Sequence, residues 1–164
     1  MNDRVARMVA EAEGRIADAS IIGESLRSHS DSQALLQILA LEVLLKAIQL
    51  QSTGSISRSH RYIDIWTTLP VVIRDRIAKA ARDRYPGHAD LSRIEKLLCV
   101  YESLFTKARY GYELYEHLSL HEQHELGHEW LARGAPVEEA DVQYFPMELA
   151  ALLHGLQEVA RGAA

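Results

Sequence analysis

From Ala34 to Leu50 the chain, wound as a helix, is apolar around most of its circumference, with Leu35, Leu36, Ile38, Leu39, Leu41, Val43, Leu44, Leu45 and Ile48 in a single run. A helix of that kind needs neighbours on nearly every side and belongs at the centre of a bundle. Asp31 or Ser32 can cap its start. Two charges interrupt the run. Glu42 and Lys46 stand four residues apart with the carboxylate N-terminal, the favourable order for an ion pair on one helical face.

The flanking segments supply the partners such a helix requires. Val5, Met8, Val9, Ile16, Ala19 and Ile22 recur at a helical period between Asn2 and about Leu26, with Gly14 and Gly23 as weak points. Residues 52–57 form a Ser/Gly loop that leads through Ser59 and His60 into a short helix ending near Leu69. Pro70 opens the next helix at its first turn, where its missing N–H is harmless. After the break at residues 85–90, Asp90 is placed to cap a long helix running towards His117. Ser119 and Glu122 make an S-x-x-E capping box that begins a new helix, which Gly134 should end. Pro146 opens a last helix to about Arg161. No stretch of four residues shows clean period-2 alternation, so no sheet is expected. The expectation is one all-α domain over residues 1–164, an up-and-down helical bundle of five to seven helices.

A chain of 164 residues can bury roughly two thirds of its unfolded surface, so a structural metal or disulfide is optional. The single cysteine, Cys99, lies in the apolar run LLCVY and reads as a small core residue in a reducing compartment, which points to the cytoplasm. The charged N-terminus and the lack of an uninterrupted 18-residue apolar stretch argue against secretion and against a membrane.

The net charge of −5 argues against a surface that grips nucleic acid all over. The distribution is uneven, however. Residues 58–84 carry seven cations against three carboxylates, net +4, and residues 113–148 carry nine carboxylates against Arg133 alone, net −8. Such asymmetry suits a charged ligand or a second copy of the chain.

His124-Glu125-Leu126-Gly127-His128 satisfies H-E-x-x-H, in which two imidazoles one helical turn apart hold zinc and the glutamate acts as base on the bound water. A catalytic zinc also needs a third protein ligand. The extended motif would put Gly at position 131 and His at 134, where this chain has Leu131 and Gly134. Glu148, 20 residues after His128, and Glu139 are the remaining candidates. With no sheet edge to hold a peptide, a zinc-dependent hydrolase using His124, Glu125, His128 and Glu148 is the alternative reading, and a chain without cofactor the leading one.

Further back, Arg109-Tyr110-Gly111-Tyr112-Glu113 places a cation, a carboxylate and aromatic hydroxyls together near a helix end. Arginine can stack on tyrosine there and present a rigid fork to phosphate. Taken together, the ALEVLLKAIQL helix with Glu42 and Lys46, the loop entering Ser59-His60-Arg61-Tyr62, and the long helix ending in Arg109-Tyr110-Gly111-Tyr112-Glu113 resemble the HEPN superfamily of helical bundles over roughly residues 1–118. The tail, with Gly127, Trp130 and Pro146 as markers, is similar to a C-terminal helical extension, residues 119–164, attached to such bundles.

The resemblance implies a homodimer that handles RNA or a nucleotide, with a cognate antitoxin as partner. It also implies metal-independent endoribonuclease activity in which Arg109 holds the phosphate and His117 transfers protons, a task suited to imidazole near neutrality. Tyr110, Tyr112, Glu113, His60 and Arg61 are the accompanying binding candidates. Seven residues separate Arg109 from His117, so on a straight helix the two would point about 80° apart. On the same fold a non-catalytic protein-interaction module is the third reading.

Overall fold

The computed structural model describes residues 2–25, 31–109 and 113–162. Among them lie seven α-helices and no strand: α1 Asp3–Ser25, α2 Asp31–Thr53, α3 Tyr62–Thr68, α4 Val71–Arg84, α5 Ile94–Arg109, α6 Leu120–Ala132 and α7 Pro146–Gly162, with a 3-10 turn at Val137–Glu139 before α7. The all-helical bundle expected from the sequence is what forms.

The apolar helix α2 takes the central position. Ile38, Leu41, Leu44, Leu45 and Ile48 are buried, and the helix packs against α1, α3, α5 and α7. By length and composition α2 could also cross a membrane. Here 56% of that apolar window is buried within the bundle. Asn2 starts α1 by accepting a hydrogen bond from the Arg4 N–H (2.8 Å), and Val5, Val9, Ala12 and Ala19 form the stripe that α1 lays on α2.

Helix α7 belongs to the same core. Leu149, Leu152, Leu153, Leu156 and Val159 are buried, and α7 packs on α4 and α2. The α4–α7 approach is close enough to require Gly155, since a Cβ there would stand 2.5 Å from the Ile77 carbonyl oxygen and 3.0 Å from Ala81. Two hydrogen bonds pin the start of α7: the Tyr101 hydroxyl donates to the Phe145 carbonyl (2.9 Å), and the Tyr144 hydroxyl meets the Gln37 side chain (3.2 Å). Helix α6 is the opposite case, with no buried residue along its length.

Two sequence expectations change. Helix α5 is shorter than the span from Asp90 to His117 at both ends. At its start the Asp90 carboxylate accepts from the Ser92 N–H (2.9 Å), which closes a turn ahead of the helix. At its end the inward stripe of Leu97, Leu98, Tyr101 and Leu104 has no buried successor among the described residues, and residues 113–118 run as turns. Glu113 and His117 therefore do not share a helix with Arg109. Cys99 is also exposed: next to the inward-facing Leu98, it falls on the solvent side of α5. The thiol is not a core residue, and the compartment argument built on its burial lapses.

Candidate functional site

A charge inside an otherwise apolar helix must find a partner or leave the core. Glu42 finds two. Its Oε1 lies 2.8 Å from the Lys46 Nζ one turn later and 2.8 Å from Nδ1 of His60 in the loop before α3. The Glu42 and Lys46 side chains are 11% and 14% exposed, whereas the His60 side chain is 81% exposed. The imidazole therefore has one nitrogen on a buried carboxylate while the rest of the ring faces water.

The loop that carries His60 is held from several sides. The Gln49 side chain, also buried, donates to Thr68 Oγ1 (2.7 Å) and accepts from the Ser57 N–H (2.8 Å), which ties the loop to α2 and to the end of α3. Ser57 and Ser59 hydroxyls accept from the N–H groups of Ser59 and Arg61, both at 3.0 Å. The Tyr62 N–H donates to Glu102 Oε2 on α5 (2.9 Å). Arg61 occupies the N-cap position of α3 but makes no side-chain capping bond. Its guanidinium sits 3.8 Å from Asp64, an exposed and loose pair. The Tyr62 phenol is buried, and its hydroxyl has no hydrogen-bond partner among the described residues. Burial, then the Glu42 and Glu102 carboxylates, push its pKa well above the usual phenol range.

The pair implied by the HEPN resemblance is arranged differently. Arg109 ends α5 and His117 lies in the turns that follow, so the 80° offset expected on a straight helix does not apply. Tyr110 and Tyr112 lie outside the described residues, and Glu113 is exposed. His117 feels the field of Glu122, but its ring makes no hydrogen bond to another described residue. The turns are fastened to the end of α5 through Asp141: its carboxylate accepts from the Tyr115 hydroxyl (2.9 Å) and its carbonyl from the Lys107 Nζ (2.6 Å).

On α6 the capping box forms as the spacing predicts. Ser119 Oγ accepts from the Glu122 N–H (3.3 Å), and Glu122 Oε2 accepts from the Ser119 N–H (2.8 Å). The Ser119 hydroxyl also donates to Glu122 Oε2 (2.7 Å), and that bond, with the one from the Ser119 N–H, holds the Glu122 carboxyl below its usual pKa. His124 and His128 share a face, with ring centroids 4.4 Å apart and edge-on. The other zinc candidates are committed elsewhere. Glu125 lies 3.4 Å from His121 Nε2, Glu139 pairs with Arg133 (3.0 Å), and Glu148 accepts from the Asp90 N–H (3.0 Å). Among the described residues no group of three or more His, Cys, Asp or Glu side chains is placed to hold a metal. The two imidazoles of HELGH thus lack the third ligand a catalytic zinc requires.

One feature was not legible as a motif. Between α4 and the start of α5 runs an open groove of about 580 Å³ lined by Arg74, Arg82, Arg93 and Lys96 with Asp75 and Glu95. Arg74 lines the groove, and its Nε, shielded from solvent, has no acceptor among the described residues. The net +4 of residues 58–84 pointed at α4, but Arg93 and Lys96 come from a separate segment that only folding brings alongside.

Comparison of the chain with protein-family models, with curated proteins and with solved structures returns no match, so its function must be argued from its own residues.

Proposed function

We propose that this chain is a HEPN-like helical bundle that binds RNA, with the phosphate backbone lying in the groove between α4 and α5. The observation that carries this reading is the groove itself, where four cations, Arg74, Arg82, Arg93 and Lys96, stand with only two carboxylates, Asp75 and Glu95. Guanidinium and ammonium groups meet phosphate oxygens with charge-assisted hydrogen bonds, two at once in the case of arginine. Concentrating the cations in one groove also reconciles nucleic-acid binding with a net charge of −5. The resemblance adds a homodimer to this proposal, which sedimentation equilibrium measures directly.

Fluorescence anisotropy with a labelled single-stranded RNA tests the groove. Binding should weaken as salt rises, and removing one cation that meets a phosphate should lower the log–log salt slope by about 0.7. Arg82→Glu with Arg93→Glu should weaken binding and flatten that slope. Unchanged affinity in this double variant rules out the groove as the binding surface. Binding of mononucleotides with the same affinity as RNA would replace RNA with a nucleotide as ligand.

A further inference from the structure

We infer that the pocket between α6 and the loop returning to α7 is a binding site for a small organic cation, an ammonium group carried on an aromatic body. The inference is independent of the RNA reading, because it concerns a different pocket and a ligand of opposite charge.

A helix on the surface of a bundle normally lays an apolar stripe on its neighbours. Of α6, only Gln123, Gly127 and Trp130 are shielded from solvent to any extent, spaced four and then three residues apart on one face. That face does not close on other side chains. All three residues line a pocket of about 450 Å³, together with Leu126, Tyr115 and Val142. A Cβ on Gly127 would meet nothing within 4 Å. The helix thus turns its packing face to open space of the size that small-molecule sites occupy.

The pocket has a fixed frame. After α6 the chain reverses through left-handed Gly134 (φ 86°) and Ala135 (φ 50°), and residues 139–142 return to form the opposite wall. Trp130 Nε1 donates to the Pro136 carbonyl (3.1 Å), and the Tyr115 hydroxyl donates to Asp141 Oδ2 (2.9 Å). The Gln123 amide donates to the carbonyls of Tyr115 (3.2 Å) and Leu118 (3.1 Å). Arg133, the cation in the wall, is paired with Glu139 (3.0 Å).

These bonds decide the chemistry of the ligand. With their donors spent, Trp130, Tyr115 and Gln123 offer aromatic surface and an amide oxygen. The Asp141 and Glu139 carboxylates keep lone pairs, since each can accept several hydrogen bonds. Among the described residues no cation is paired with the Asp141 carboxylate, and the nearby Lys107 Nζ reaches the Asp141 carbonyl instead (2.6 Å). Acceptors beside aromatic rings select a ligand that brings the donors, and a cation gains further from the rings. The nine carboxylates of residues 113–148, set against Arg133 alone, add a field of the same sense.

Isothermal titration calorimetry with naphthylmethylamine, protonated at neutral pH, tests the site against two ligands of similar shape, neutral naphthylmethanol and anionic naphthoate. The amine should bind at least about tenfold tighter than the alcohol, the margin of a charge-assisted hydrogen bond over a neutral one, and naphthoate should bind weakest. Asp141→Asn, which can still accept from Tyr115, should bring the amine down to the affinity of the alcohol. Gly127→Leu should abolish binding by filling the pocket, with no loss in the thermal melt, because its side chain enters open space on a helix that glycine weakens. In a nitrogen–proton correlation spectrum the Trp130 indole signal, identified by its loss in Trp130→Phe, should move with the amine while that of Trp66 stays. Absence of amine binding at about 1 mM, the weak end of specific affinities, overturns the inference. So does an alcohol or naphthoate that binds as tightly as the amine, or amine binding that survives Gly127→Leu. Arg82→Glu with Arg93→Glu should leave amine binding unchanged, so failure of RNA binding and failure of this site are read separately.

Discussion

Two histidine–glutamate pairs among the described residues are built in opposite ways. His121 and Glu125 are one turn apart on α6, both largely exposed and 3.4 Å from each other. His60 and Glu42 come from a loop and the central helix, at 2.8 Å, with the carboxylate buried. The first pair includes the glutamate of the conspicuous HELGH string, on a helix that buries nothing. The second carries no motif, yet its carboxylate is buried, and there the loss of a charged partner is the more damaging. Local spacing brings side chains to one face; only tertiary packing sets one of them against a buried partner.

The largest effect expected on stability comes from Glu42→Ala. It leaves the Lys46 ammonium, 14% exposed, without its carboxylate, and should destabilise the fold by about 3 kcal/mol, read as a shift in the urea midpoint at constant slope. A loss below about 1 kcal/mol would show the Glu42 pair to be energetically no different from a surface pair. The helices themselves give the next contrast. Gly155→Ala forces a Cβ against the Ile77 carbonyl and should cost about 1–3 kcal/mol, whereas Gly127→Ala on α6 meets nothing within 4 Å and should stabilise by about 0.5–1 kcal/mol. Equal responses at the two glycines would mean that α6 is packed after all.

The smallest effect is confined to α6. Ser119→Ala removes the capping box and should fray that helix by about 1 kcal/mol, visible in local amide exchange while the global unfolding midpoint stays put. Acid should act in the same direction. The folded Glu122 pKa is depressed by Ser119, so its stabilisation is present above the unfolded value of 4.5 and is lost as pH falls through the folded one. Amide exchange in α6 that did not change between neutral pH and pH 3, once corrected for intrinsic rates, would deny Glu122 that role.

Much of the fold was legible from local chemistry. Pro70 and Pro146 mark helix starts, Ser119 and Glu122 mark another, and the apolar circumference of α2 fixes the centre. The ends of α5 were not legible, because Asp90 offers the same carboxylate to a turn as to a helix cap, and the turns of residues 114–117 take the chain out of the helix before His117 without a capping signal of their own. Cys99 was misplaced for a related reason: in an apolar run of five residues, helical rotation must still turn some of them to water. The candidate site was half visible. Glu42, Lys46 and His60 each stood out singly, but the hydrogen bond from Glu42 to His60 spans two elements whose docking no spacing rule describes. Arg93 beside Arg74 was invisible for the same reason.

The glycine contact between α4 and α7 bears on more than packing. A helix seated with its carbonyl against a neighbour's bare Cα has no slack to slide or roll, so α4 is a fixed ruler on which Arg74 and Arg82 are two graduations. A polymer whose charges repeat at a set interval either matches that ruler or does not. Discrimination among polyanions can then arise from backbone spacing alone, before any base is read.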